Sequence, residues 1–435
     1  MSTPTSTNNN ERGGNGSSFT SRLGPGLITG AADDDPSGIA TYSQAGAQFR
    51  FALVWTLFLT TPLMIGIQML SARIGFVTHD GLATNIGKMC PRWLTVSLIG
   101  LLVVANTINI AADIGAMAEA VRLLAGGPQP VYVVFFGALC VATQIWFSYE
   151  RSVRVLKWLT LALFAYVAVI LSVSVPWKQV IHESWQPWNF FPPGVSPKDY
   201  AAMVVAVLGT TISPYLFFWQ ASQEVEDNHR RPNAVALREH PEYVTEHLSR
   251  IKQDTIVGMG YSNMIALCIV VATAVTLNQH GITNIQTSAQ AAEALRPVAG
   301  DFAFAVFAMG IIGTGLLAVP VLAGSAAYAV SEVFGWARGL SHGFREARGF
   351  YFIIIAATGI GTAMGAFEVD PIKALVWSAI VNGVISVPIM VVLMLIGQSK
   401  ALMGNYTITT RHRFFGWAAT FVMGIAVVVM LATSV

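Results

Sequence analysis

Long apolar runs, broken by short polar stretches, set the pattern of this chain. Eleven such runs fall near residues 22–47, 52–72, 93–123, 130–148, 155–175, 199–222, 253–277, 301–333, 350–367, 372–397 and 412–433. Each approaches the ~20 residues a helix needs to cross a bilayer. The predicted fold class is therefore all-α and polytopic, with about eleven transmembrane helices. Two of the runs carry helix-hostile centres. In the first, Gly30-Ala31-Ala32-Asp33-Asp34-Asp35-Pro36-Ser37-Gly38 interrupts the span. In the sixth, Gly209-Thr210-Thr211-Ile212-Ser213-Pro214-Tyr215 repeats the theme of glycine, small polar residues and proline. Proline removes a backbone donor and pushes the preceding residue out of helical geometry.

Breaks in the first and sixth of eleven helices predict an internal repeat of five plus five. Five is odd, so the second copy starts from the opposite face of the membrane and its topology is inverted. The expected organisation is a disordered tail over 1–20, one repeat over 22–175, a second over 199–397 and an extra helix over 412–433. Matched interruptions in two halves point to a transporter binding site, because unwound carbonyls there coordinate cations. Three adjacent carboxylates at mid-span cost several kcal/mol each if they face lipid. They are expected to face a cavity, an ion or one another.

Composition sharpens this picture. Hydrophobic residues make up 54% of the 435, and charged residues only 11%, against about 25% charged in soluble domains. A net charge of +2 without a basic stripe excludes a nucleic-acid binder. The 25 Lys and Arg residues then set orientation. With the N-terminus inside, 19 of the 25 fall in cytoplasmic loops, as the positive-inside rule requires. The odd number of spans puts the C-terminus outside. The first 20 residues, polar and Ser/Thr/Asn/Gly-rich, lack the apolar core of a cleavable signal. The stretch 228–250 is expected to be a charged cytoplasmic connector. Trp177, Trp185 and Trp188 in the loop 176–198 fit an interfacial belt.

Other polar residues divide into candidates and bystanders. Cys90, Cys140 and Cys268 lack disulfide or zinc spacing, and all eight histidines fall between apolar runs. Asn106, Asn109 and Asp113 lie at i, i+3 and i+7 on one helix face. That face either lines an ion pathway or hydrogen-bonds a neighbouring helix. Glu119 lies off the stripe and needs its own partner. Asn263 and Asn382 fit interhelical hydrogen bonds. Glu224, Glu226 and Asp227 are expected to be solvated at the end of the sixth helix.

Four motifs together resemble the Nramp divalent-metal transporters: Leu23-Gly24-Pro25-Gly26-Leu27, Asp35-Pro36-Ser37-Gly38, Thr41-Tyr42-Ser43-Gln44-Ala45-Gly46-Ala47 and Gln68 through Thr78. The match is dense to about Ser222 and thins to hydropathy and spacing by Leu395. The resemblance implies a LeuT-like fold with metal bound between helices one and six. The departures are informative. Asp35 keeps the family's carboxylate, but Gly38 stands at its asparagine. Thr210, Ser213, Pro214 and Tyr215 replace an Ala-x-x-Met-Pro-His motif. Asn109 and Ala112 stand where the family carries an acidic pair tied to proton transfer.

Loss of the thioether removes the soft ligand that favours transition metals. Glycine in place of asparagine and serine in place of methionine widen the site and line it with oxygen, which suits partly hydrated Mg²⁺, as in the similar Nramp-related magnesium transporter branch. The ligand set implied is Asp35, Gly38, Thr210, Ser213 and Tyr215. Asp33, Asp34, Asn106, Asn109, Asp113, Glu119 and Asn382 are pathway or supporting candidates. Mn²⁺ should pass too, without ordinary proton coupling. The expected partners are the ion and the bilayer, with no fixed cofactor, no nucleic acid and no required oligomer. A sodium-coupled organic-solute symporter of the same architecture is the alternative, although three acids suit a multivalent cation better. An intramembrane aspartyl protease needs two catalytic aspartates on separate helices, and only one acidic cluster exists. A non-transporting receptor would need a sensor domain that is not visible.

Overall fold

The computed structural model describes residues 25–146, 161–185, 195–229, 241–366 and 370–434. The tail 1–20, the start of the fifth run, Trp188 and residues 230–240 of the 228–250 connector lie outside the described residues.

Helices dominate, and no strand occurs among the described residues. The chain runs α1 (Pro25–Asp33), α2 (Pro36–Phe49), α3 (Val54–Thr78), α4 (Leu82–Met89), α5 (Arg92–Ala125) and α6 (Gln129–Trp146). It continues through α7 (Phe164–Ser172), α8 (Trp177–Trp185), α9 (Pro197–Thr211), α10 (Pro214–His229) and α11 (Pro241–Thr276). The last four are α12 (Ala303–Phe334), α13 (Arg348–Gly365), α14 (Pro371–Gln398) and α15 (Thr410–Ser434). Proline opens six of these fifteen, where its missing N–H costs no hydrogen bond.

Among the described residues, nine helices are long and apolar enough to cross a membrane, or ten with the bent pair around α7 and α8. The split first run, α1 and α2, is short in each half and adds to these. All eleven apolar runs therefore reappear as helix, the fifth from residue 161 onward.

The structure corrects several details. The breaks are narrower than expected: only Asp34 and Asp35 separate α1 from α2, and only Ile212 and Ser213 separate α9 from α10. Asp33 ends a helix rather than lying in unwound chain. The loop expected at 176–198 contains α8, turned by 107° from the preceding helix. The seventh helix starts at Pro241, well before residue 253. That early start puts His247 inside a helix, where only 3% of it is exposed.

The two broken spans sit at the centre of the bundle. α1 and α2 pack along α11, α9 packs along α14, and α5 packs along α12. Small residues allow the closest approaches. A Cβ on Gly30 would collide with the Gly258 backbone of α11, and one on Gly209 with the Ala379 and Gly383 backbone of α14. Such contacts drive packing where lipid and protein interior are equally apolar. Asn106 donates to the Leu322 carbonyl (2.9 Å) and Ser325 Oγ (2.8 Å) of α12. Asn263 donates to the Leu57 carbonyl (2.7 Å) and to Thr61 of α3. Both are interhelical bonds.

Candidate cation site between the broken helices

Asp35 has two jobs, one for each carboxylate oxygen. The sequence Asp35-Pro36-Ser37-Gly38 makes it the N-cap of α2, with Pro36 at the first helical position. Its Oδ1 accepts from Ser37 Oγ and the Gly38 N–H, both at 2.7 Å. Capping accounts for that oxygen. Oδ2 faces the bundle centre, where Asn109 Nδ2 of α5 donates at 3.0 Å and Tyr215 OH of α10 lies at 3.4 Å. Tyr215 also donates to the Ala32 carbonyl at 3.2 Å. One carboxylate oxygen of the first span thus gathers contacts from the third and sixth spans.

The sixth-helix break presents hydroxyls. Ser213 Oγ turns back onto the last turn of α9, 2.7 Å from the Gly209 carbonyl and 3.0 Å from that of Thr210. The Thr210 carbonyl, expected to face the ion, is therefore already engaged through one lone pair. Thr210 Oγ1 points across to Gly38: a Cβ there would sit 3.3 Å from it and 3.4 Å from the Tyr42 ring. The room that Gly38 was expected to leave is filled in this conformation. Asp33, Asp34 and Asp35 are each about 1% exposed, so the break is sealed.

Four carboxylates collect here without a cationic partner. Asp113, one turn beyond Asn109 on α5, is fully buried and has no side-chain hydrogen-bond partner. Asp33 Oδ2 and Asp34 Oδ1 share one hydroxyl, Ser262 Oγ of α11, at 2.6 and 3.0 Å. The remaining oxygens, Asp33 Oδ1 and Asp34 Oδ2, have no partner. No Lys, Arg or His forms an ion pair with any of the four among the described residues. Every donor atom around Asp35 is oxygen or amide, with neither sulfur nor imidazole.

The other candidates separate cleanly. Asn109 belongs to the site, whereas Asn106 ties α5 to α12. Glu119 pairs with Arg122 one turn away, at 2.6 and 2.8 Å. Asn382 is buried on α14 with its Oδ1 unpartnered. Of the three acids ending the sixth helix, Glu224 and Glu226 are buried rather than solvated as expected, while Asp227 stays partly exposed. Glu224 is fully buried, and Arg250 Nη2 bridges it (3.1 Å) to Asp227 (3.0 Å) beside His247. Glu226 accepts from the Leu340 N–H at 2.8 Å and from Tyr328. Burial was invisible because the partners arrive from α11 and α12. Ser262 was also missed. Its signal was slight: a lone hydroxyl beside Asn263 in an apolar run.

Two interrupted helices meeting at a buried acidic centre define a membrane transporter of the broken-helix class. The chain matches the Nramp family, described as natural resistance-associated macrophage protein-like, over residues 26–433. It belongs to that family, which makes it a transporter and not an enzyme. Curated relatives include the divalent metal cation transporter MntH of Caldanaerobacter subterraneus subsp. tengcongensis, 25% identical over 93% of this chain and 91% of that protein. MntH of Deinococcus radiodurans is 25% identical over 68% of this chain and 65% of its own length. The crystal structure of the Eremococcus coleocola manganese transporter, bound to an aromatic bis-isothiourea compound, superposes with a TM-score of 0.70. It is 18% identical and covers 96% of this chain and 87% of that one. Inward-facing Mhp1 shares the fold at a TM-score of 0.51 with 15% identity, over 95% of this chain and 91% of that one. The architecture is thus LeuT-like.

Proposed function

We propose that this protein carries divalent metal cations across the cell membrane, Mg²⁺ foremost and Mn²⁺ as well, by alternating access. It groups with the Nramp-related magnesium transporter branch. The ion binds between the breaks, with Asp35 as its fixed carboxylate and Thr210, Ser213 and Tyr215 as oxygen neighbours at Gly38. The carrying observation is the donor chemistry: Asp35 Oδ2 faces only oxygen and amide groups. Mg²⁺ prefers few carboxylates and several retained waters, and the absent thioether and imidazole remove what would favour softer ions.

Because the site is sealed, a hydrated ion enters only when α2 and α9 separate near Gly38. Proton coupling is not expected, since Asn109 and Ala112 take the place of an acidic pair on the third span. The N-terminus is cytoplasmic and the C-terminus outside, from the distribution of Lys and Arg. The inverted repeats span 22–175 and 199–397, with 412–433 as the extra helix.

Selectivity tests the ligand set. Restoring an amide and a thioether with Gly38→Asn and Ser213→Met should shift competition for uptake from Mg²⁺ toward Mn²⁺ by about tenfold. An unchanged Mg²⁺/Mn²⁺ preference in a folded, active double variant would refute the assignment.

A further inference from the structure

We propose that the chain holds a second divalent cation beside the one at Asp35, between the C-terminal end of α1 and α11, on Asp33, Asp34 and Ser262. This deepens the transport function above and rests on it. Only Asp33 lies within α1, while Asp34 and Asp35 form the break, and the three side chains fall into two groups. Asp35 Oδ2 turns to α5 and α10, through Asn109 and Tyr215. Asp33 and Asp34 turn to α11, through Ser262.

Hydrogen counting shows what the second group lacks. Ser262 Oγ lies within hydrogen-bond distance of both carboxylates but carries one proton, so it serves only one of them. Three oxygens thus meet around a single hydrogen, and each carboxylate keeps a further buried oxygen without a partner. Buried carboxylates require a positive partner or neutralisation. Among the described residues no cationic side chain is ion-paired to them, whereas a divalent ion between them supplies what Ser262 cannot. The negative end of the α1 dipole favours a cation at the same place. Charge then balances over the whole centre: two divalent ions neutralise Asp33, Asp34, Asp35 and Asp113.

Full-length protein in lipid nanodiscs, titrated with Mn²⁺ alone, tests this by equilibrium binding and electron paramagnetic resonance. Wild type should bind two Mn²⁺ per chain, with a spectrum broadened by coupling between them. Ser262→Ala and Asp33→Asn should each weaken one of the two at least about tenfold and leave a narrow, uncoupled signal. Asp35→Asn should remove the other ion and also leave one. A single Mn²⁺ per wild-type chain, unaffected by Asp33→Asn and Ser262→Ala, would overturn the second site while leaving the first intact. One Mn²⁺ together with Na⁺ binding that Ser262→Ala abolishes would overturn the divalent assignment. Failure of wild type to bind any Mn²⁺ or Mg²⁺ would instead remove the proposed function itself.

Discussion

Asp35 carries both structure and chemistry, and its two oxygens separate the roles. The Oδ1 cap would exist in a soluble helix with the same Asp-Pro-Ser-Gly start. Oδ2 is the unusual one, because its partners come from α5 and α10 at the middle of a bundle. In the proposed site Asn109 orients that oxygen by donating its amide N–H to it. Asn109→Ala should therefore raise the Mg²⁺ concentration for half-maximal uptake about tenfold while the protein stays folded. An unchanged half-saturation would show that Asn109 plays no part in holding the site. At this scale the sequence was informative about identity and poor about direction. Asp35, Tyr215 and Asn109 stand out by type and position. That Ser213 turns back onto α9, and that Gly38 meets Thr210, depends on backbone paths that composition does not encode.

At the scale of elements, the broken spans work because their neighbours come close. Gly209 lies against the α14 backbone at Ala379 and Gly383, with no space for a methyl group. Gly209→Ala should cost about 1–3 kcal/mol in overpacking, seen as a lower thermal midpoint in detergent. A midpoint equal to wild type would mean the crossing relaxes freely. At the end of α10, Arg250 neutralises a fully buried Glu224 and reaches Asp227. Its removal leaves Glu224 uncompensated, so Arg250→Ala should destabilise by about 3 kcal/mol. Double substitution with Glu224→Gln should recover much of that loss, and no recovery would refute the pairing. The two breaks and the eleven runs were legible, since proline, glycine and acid interrupt hydropathy visibly. The early start of α11 was not, because its first turns are polar and read as connector. For the same reason Glu224 and His247 were assigned to water.

At the scale of the molecule, two divided helices hold a sealed acidic centre inside a LeuT-like bundle. Under the proposed function, a sealed centre opens by separation of α2 from α9 at one stage of transport. With Asn109 and Ala112 at the family's acidic positions on the third span, the proposed reading has metal moving without protons in its company. Both expectations meet in one assay: purified protein in liposomes, with Mg²⁺ and Mn²⁺ supplied outside and a pH dye inside. The account predicts that both ions enter, that the lumen does not acidify with metal flux, and that Asp35→Ala abolishes uptake. Amino-acid binding without Mg²⁺ uptake, or Mg²⁺ uptake that persists in Asp35→Ala, would contradict it.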